Sequence, residues 1–348
     1  MASTTDAWKG YTVLAEDETD ARYGYRPDQR PIQALLDYGL IPVDKPPGPT
    51  SHEVVAWIKR ILEVRKVGHS GTLDPGVTGL LPVGVGEATK ALSVLLMGPK
   101  EYQAVARLHS PVPEAELRRT LEEFTGEIYQ RPPQRSSVKR VTRTRTVYEL
   151  ELVEQEGRLL LLRVLCQAGT YVRKLVYDVG EVLGPGATMV ELRRNRVSHF
   201  GEEDGLVRLH ELIDAYQSWK EGGDEEGLRR VILPVERMVE RLKGVVVRDS
   251  AVNAICHGAQ LAIPGILRIA PGIQSGETVA AYTLKGELLA LCEASMSTAE
   301  VLGASKGIAF STKRVIMKAD TYPKMWKSKG AGDETTTLAP GSSASGAQ

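Results

Sequence analysis

The chain has 348 residues, with 44 Lys and Arg against 44 Asp and Glu and 42% hydrophobic residues. That length allows two domains with separate cores, and a net charge of zero argues against a polyanionic partner unless the charges are segregated along the chain. No run reaches the roughly 18 apolar residues of a membrane span, and three widely spaced cysteines, Cys166, Cys256 and Cys292, support neither a disulfide framework nor a Cys-type zinc site.

The N-terminus has no basic-then-apolar leader and turns acidic at Glu16, Asp17, Glu18 and Asp20, which places the expected protein in the cytoplasm. Thr50 with Glu53 forms a capping box ahead of Val54, Ile58, Ile61 and Leu62, predicting a helix over 51–64. After the glycine-rich stretch 68–79, residues 79–86 read as a buried strand, 87–97 as a helix and 102–108 as a strand. Leu117, Leu121 and Phe124 make 113–124 an amphipathic helix that Gly126 ends.

From Arg131 to Tyr148 the chain carries Arg131, Arg135, Lys139, Arg140, Arg143 and Arg145 without one acid, whereas acids dominate from Gly201 to Glu226. The segregation predicts a mobile basic arm that meets phosphates. Residues 148–153 and 158–167 predict a hairpin about a Gln-Glu-Gly turn. Gly169-Thr170 then starts a helix with Val172, Leu175, Val176, Val179 and Val182 on one face and Arg173 in its first turn, where a buried ion pair or simple exposure are both open. Gly184-Pro185-Gly186 ends it, and 187–200 reads as extended.

Beyond 241–244 the chain becomes β-rich, with strands over 245–247, 263–269, 278–284 and 288–292, a Lys285-Gly286 turn and a short helix over 250–256. That spacing suggests a small β-barrel. The Gly-, Ser-, Thr- and Ala-rich residues 327–348 predict disorder.

The string Gly68-His69-Ser70-Gly71-Thr72-Leu73-Asp74-Pro75-Gly76-Val77-Thr78-Gly79 sets one carboxylate in a frame of glycines. Gly permits backbone angles and approaches that a Cβ forbids, and Pro75 fixes the chain just after Asp74. A lone carboxylate presented this way suits a nucleophile or base rather than a paired acid and base, and the ordinary alternative is an Asp capping a turn amide.

This loop resembles the signature of the TruB/dyskerin family of RNA pseudouridine synthases. Val43-Asp44-Lys45-Pro46-Pro47-Gly48-Pro49-Thr50-Ser51-His52-Glu53 is similar to the family's first motif, and Gly169-Thr170-Tyr171-Val172-Arg173 to its arginine motif. Ala254-Ile255-Cys256-His257-Gly258-Ala259-Gln260-Leu261 with Pro264-Gly265 resembles a PUA domain, an RNA-binding module. The resemblance spans about 31–326 and implies an α+β fold. A catalytic domain over 31–241 would be built on a mixed, mainly antiparallel sheet with flanking helices, followed by a PUA barrel over 242–326. Residues 1–30 would be an extension packing on the barrel, and 327–348 a tail.

The resemblance also implies roles. Asp74 would be the nucleophile or base, and Arg173 its partner, keeping it ionised in a dry pocket. Tyr102 would stack on the target base, and Tyr171 would be a second wall or proton shuttle; a strand tyrosine in a core is the ordinary alternative for each. Lys45 would reach a phosphate or brace the loop, His69 would fill the place of the flipped nucleotide, and Leu192 would wall the pocket. His69 bonding its own backbone, Lys45 in solvent and Leu192 in a core are the plain alternatives. Ser250, His257, Gly258, Lys313 and Arg314 would anchor a guide RNA. No cofactor and no metal are implied.

Pro46-Pro47-Gly48-Pro49, Ser70-Gly71-Thr72, the N-terminal extension and the PUA-like end look like the archaeal catalytic subunit of box H/ACA ribonucleoproteins. Its implied partners are a guide RNA with its target RNA, a small zinc-ribbon protein, a Gar-type protein and a kink-turn-binding ribosomal-type protein. A stand-alone transfer-RNA pseudouridine synthase and a non-catalytic RNA-binding scaffold are the competing readings.

Overall fold

The computed structural model describes residues 8–132 and 141–324. After β1 (Thr12–Val13) come α1 (Ile32–Asp37), β2 (Gly39–Lys45) and α2 (Ser51–Ile61). The expected capping box is formed: the Glu53 amide donates to Thr50 Oγ1 at 3.1 Å, and the Thr50 amide donates to Glu53 Oε2 at 2.7 Å. Val54 and Ile58 lie fully buried one turn apart, which turns the apolar stripe of α2 onto the core.

The chain continues through β3 (Val67–His69), β4 (Thr78–Val85), α3 (Leu92–Met97), β5 (Lys100–Leu108), α4 (Glu114–Glu123) and β6 (Gly126–Gln130). Next follow β7 (Arg143–Glu156), β8 (Leu159–Cys166), α5 (Val172–Leu183), β9 (Ala187–Val197) and β10 (Phe200–Gly201). Helices α6 (Leu209–Gly222) and α7 (Glu226–Val231) and strand β11 (Leu233–Pro234) close the first unit. Its ten-stranded sheet runs β11-β2-β4-β9-β5-β8-β7-β6, with β3 on β4 and β10 on β9. Every pairing is antiparallel except β4 with β9.

That parallel junction lies between two apolar cores. On one side α1, α2, α6 and α7 cover β2 and β4, and on the other α4 and α5 cover β5, β7 and β8. Tyr102 and Leu192 pack against both cores.

The second unit comprises β12 (Gly244–Val247), α8 (Asp249–Cys256), β13 (Leu261–Ala262), β14 (Ile266–Ile269), β15 (Thr278–Tyr282), β16 (Leu288–Ala294), α9 (Thr298–Gly303) and β17 (Ile308–Val315). Its seven-stranded sheet runs β1-β14-β12-β15-β16-β17-β13. Strand β1 comes from the N-terminal segment, which is further tied down by Asp249, Lys285 and Glu287. A third apolar cluster, with Leu40, Leu80 and Phe200 from one sheet and Ala280, Leu288 and Ile316 from the other, joins the two units.

Several expectations shift. The helix expected over 87–97 is a 3-10 turn, Gly86–Lys90, followed by α3, and the strand expected over 263–269 starts only at Ile266 after a 3-10 turn, Ile263–Gly265. Val182, placed on the buried face of α5, is 59% exposed; Gly180 and Leu183 take the buried positions. Strand β7 begins at Arg143 and not at 148.

Candidate active site

The chain between β3 and β4 presents Asp74, and it is held from beneath by three buried polar side chains. Lys45, wholly inaccessible at the end of β2, donates its ammonium protons to Pro46 O at 2.9 Å, Pro75 O at 3.0 Å and Val77 O at 2.8 Å. Ser51, also inaccessible, accepts from the Leu73 amide at 2.8 Å and donates back to Leu73 O at 3.1 Å. Arg194 on β9, 1% exposed, donates through Nε to Leu80 O at 2.9 Å and through Nη2 to Gly71 O at 3.1 Å. A loop without ladder partners leaves its carbonyls orphaned, and these side chains supply the missing donors.

Burial lowers the pKa of Lys45, and the Asp74 charge works against that shift. Arg194 is likewise lowered by burial, offset by the neighbouring Tyr102 side chain. Burial raises the Tyr102 hydroxyl, with Arg194 opposing. Gly79 is required where β4 meets β9: its φ is +97°, and a Cβ there would stand 2.3 Å from Arg194 O.

Held in this way, the Asp74 carboxylate points outward. Arg173 Nη2 donates to Asp74 Oδ2 at 2.9 Å, across 99 residues of sequence. Both side chains are 63% exposed. The buried, dry ion pair expected from the resemblance is therefore not what the free chain has. Arg173 stands in the first turn of α5, clear of the apolar stripe, and among the described residues the pair lies open.

Tyr102 on β5 and Leu192 on β9 are half-buried, Tyr102 in register with Arg194 and Leu192 with Ala104. Tyr171 is the N-cap of α5, with its backbone N–H and carbonyl both bonded to the Gln130 amide. His69 ends β3; its Nδ1 accepts from the Gly71 amide at 3.2 Å, its ring meets His52 edge-on at 5.2 Å, and burial lowers its pKa. That is the backbone-bonded arrangement open to a loop histidine.

Lys45 is neither solvated nor available to a phosphate, because all three of its donors are taken by carbonyls. The basic stretch divides. Arg131 is exposed just after β6, while Arg143 and Arg145 lie on β7 opposite Gln130 and Ile128, so neither belongs to a free arm. Arg145 Nη1 donates to Thr144 O at 2.7 Å. Arg135, Lys139 and Arg140 fall outside the described residues.

In the second unit, Ser250 is half-buried on α8 and His257 caps that helix, its ring Nδ1 2.8 Å from Asn253 O. Gly258 follows with φ +87° and open space around it. Thr312 on β17 donates to Ala259 O at 2.7 Å, which brings the 257–259 turn beside Lys313 and Arg314. Lys313 pairs with Glu293 at 3.2 Å and Arg314 is exposed.

Sequence reasoning missed Ser51, Arg194 and Gln130. Ser51 lay within the first motif and Arg194 in the Arg193-Arg194 pair of a strand rich in polar residues, but nothing marked either as a loop clamp. Among the described residues no three His, Cys, Asp or Glu side chains gather as a metal site requires, and no helix is long and apolar enough to cross a membrane.

Residues 59–172 match the N-terminal domain of TruB family pseudouridylate synthases, and 173–240 match the C-terminal domain of tRNA pseudouridylate synthase B. Residues 243–316 match the PUA domain and 7–55 the DKCLD domain. Asp74 and Arg173 thus come from the two successive catalytic segments. The probable tRNA pseudouridine synthase B of Methanopyrus kandleri is 53% identical over 319 residues, 92% of this chain and 94% of the relative. That of Pyrococcus abyssi is 53% identical over 320 residues, 91% and 96%.

Among solved structures, an H/ACA RNP bound to a substrate RNA containing 2'-deoxyuridine contains a chain 48% identical to this one, at a TM-score of 0.83 over 92% of this chain and 99% of that one. An archaeal box H/ACA sRNP Nop10–Cbf5 complex contains one 49% identical, at 0.82 over 91% and 98%. With relatives half identical along nine-tenths of its length and a single carboxylate held out at the centre of the sheet, the chain belongs to the TruB family of pseudouridine synthases and carries a PUA domain behind its catalytic segments.

Proposed function

We propose that this chain isomerises chosen uridines of RNA to pseudouridine as the catalytic subunit of a box H/ACA ribonucleoprotein, with Asp74 as its reacting carboxylate. The observation that carries this reading is the Asp74 loop: clamped from below by Lys45, Ser51 and Arg194, it holds an outward carboxylate 2.9 Å from Arg173.

The reaction breaks the bond from C1' to N1, turns the uracil ring and forms a bond from C1' to C5; C5 gives up a proton and N1 gains one. No atoms are added and no redox partner enters. Asp74 either attacks C1' or takes a proton from the sugar, and Arg173 fixes its rotamer and balances its charge. Since the ion pair is 63% exposed in the free chain, the target nucleotide itself completes the pocket. A flipped uridine lying over Asp74, with its ring on Tyr102, excludes water from the ion pair.

Under this reading residues 31–241 are the catalytic domain, 242–326 the guide-anchoring PUA domain and 1–30 a strap that fastens to it. Ser250, His257, Gly258, Lys313 and Arg314 form the guide-facing side, and Arg131, Arg135, Lys139, Arg140, Arg143 and Arg145 the target-facing one. The partners are a guide RNA with its target, proteins of the Nop10 and Gar1 kinds and a kink-turn binder, assembled in the cytoplasm. Solved relatives in complexes with Nop10, with Gar1 and with substrate RNA support this.

The names of the curated relatives favour a second reading, in which the chain modifies transfer RNA unaided. One experiment separates the two. The purified chain is given transfer RNA lacking pseudouridine, and separately a guide with its matched target in the presence of the partner proteins. Conversion that depends on the guide supports the first reading, guide-independent conversion of transfer RNA supports the second, and no conversion of either contradicts both.

A further inference from the structure

Arg173 reaches Asp74 only because α5 starts where it does, and the start of α5 has an unusual support. Tyr171, the N-cap, supplies no side-chain cap to the helix, and the segment from Gln167 to Tyr171 belongs to no strand. Gln130, at the end of β6 and 2% exposed, takes the place of a strand neighbour. Its Oε1 accepts from the Tyr171 amide at 2.9 Å and its Nε2 donates to the Tyr171 carbonyl at 3.1 Å.

One side chain thus pairs with both backbone groups of the residue two before Arg173, as a β-bridge would. Gln167 does the complementary job on β7: its Oε1 accepts from the Thr146 amide at 3.2 Å, while its own amide donates to Thr146 O at 2.8 Å.

The carboxamide donates and accepts at once at any ordinary pH, which an ionised carboxylate of the same length does not. Glu at 130 would accept from Tyr171 N–H but set a carboxylate oxygen against the Tyr171 carbonyl, and Met would fill the volume with neither bond. Loss of the clamp takes the carboxamide from the Tyr171 amide and one of two donors from the Tyr171 carbonyl, which keeps the Leu175 amide at 3.0 Å, just where α5 begins; the guanidinium two residues on then moves relative to a carboxylate it meets through a single hydrogen bond.

We propose that Gln130 is a positioning residue for the reaction, holding the start of α5 so that Arg173 meets Asp74. The inference rests on the reading of Asp74 and Arg173 as the reacting pair. It gives β6, whose sequence carries no catalytic group, a part in the chemistry.

The test compares single-turnover rates of wild type, Gln130→Met and Gln130→Glu in the assembled particle with guide and target RNA. Each is measured well below its own unfolding temperature, and target affinity is determined separately. Both variants should react about 10- to 100-fold more slowly, with affinity for RNA within about twofold of wild type. In an Arg173→Lys background the same substitutions should add little further loss, because the group they position is already altered.

A Gln130→Met rate equal to wild type overturns the positioning role, as does a loss that multiplies in full with that of Arg173→Lys. Should Gln130→Glu fail to fold, Gln130→Met decides. A wild-type chain that converts no uridine contradicts the underlying functional reading instead, so the two failures are distinct.

Discussion

Two irregular regions of this molecule solve the same problem with opposite charges. Around Asp74 the buried groups are cations: Lys45 and Arg194 hold carbonyls of the loop, and Lys100 holds those of Leu95, Leu96 and Gly98 at the end of α3. Around the N-terminal strap they are mainly carboxylates, with the half-buried Lys285 serving the Asp20 and Tyr23 carbonyls. Asp249 accepts from Thr19 Oγ1 and the Asp20 amide, and Glu287 accepts from the Tyr25 amide and the Tyr322 hydroxyl. Glu236 accepts from the Leu288 amide while paired with Arg30.

The lesson is that the sign of a buried charge follows the backbone group left without a partner, carbonyls calling for cations and amides for carboxylates. At Asp74 the clamping cation does a second job, since the carboxylate it helps to present also opposes the loss of its proton. At the strap the carboxylates only fasten.

The largest effect expected from breaking this contrast is at Arg173, whose pairing is with the reacting group and not with backbone. Arg173→Ala should lower turnover by about 100-fold or more while leaving guide affinity within an order of magnitude. Turnover near wild type would show that the 2.9 Å contact has no part in the reaction.

Next in size is Lys45→Met, which removes the donor shared by the Pro46, Pro75 and Val77 carbonyls and leaves Pro75 O only the Gly48 amide. It should destabilise the chain by about 2–5 kcal/mol and slow turnover, read by thermal unfolding and by single-turnover assays. Slowed turnover with unchanged stability would instead put Lys45 on the substrate, against its full burial. Glu287→Gln makes the opposite half of the comparison. It should cost about 1–3 kcal/mol and weaken guide binding through the loosened strap, with the rate at saturating RNA unchanged; a slower chemical step would mean that the strap reaches the active site.

The smallest effect concerns Lys100. Burial, with Arg194 as the second cause, brings its pKa down to about 8, whereas an unfolded chain keeps that proton to about 10.4. Between those values the unfolded state binds more protons, so stability gains as pH rises through the window. The stability difference between wild type and Lys100→Met should shift in favour of wild type by on the order of 1–3 kcal/mol from pH 7.5 to 10. A difference that stays flat would mean the ammonium is not strained by its burial.

The parts of the site legible in the sequence are those that carry a local mark. The glycine frame announced Asp74, and the Gly169-Thr170 start with its apolar period put Arg173 in a first turn, where α5 has it. The capping box of α2 and the hairpin of β7 and β8 were visible for the same reason. Ser51, Arg194 and Gln130 were not, because their partners are backbone groups that every residue owns, and which of these is orphaned depends on the assembled sheet.

Arg143 and Arg145 show a signal passed over: Arg143-Thr144-Arg145-Thr146-Val147 alternates with β-branched residues and reads as a strand, but six cations drew the eye to an arm. The exposure of the ion pair is of another kind. It depends on what lies over Asp74, which no local pattern of the sequence records.

The most direct test of the account is Asp74→Asn in the assembled particle, with pseudouridine in the matched target and guide binding measured on the same preparation. The substitution keeps the Lys45, Ser51 and Arg194 clamps and removes one charge, so the account predicts pseudouridine formation falling to background, guide affinity within about an order of magnitude of wild type and an unfolding temperature close to wild type. Substantial turnover by a folded, guide-bound Asp74→Asn particle would contradict it.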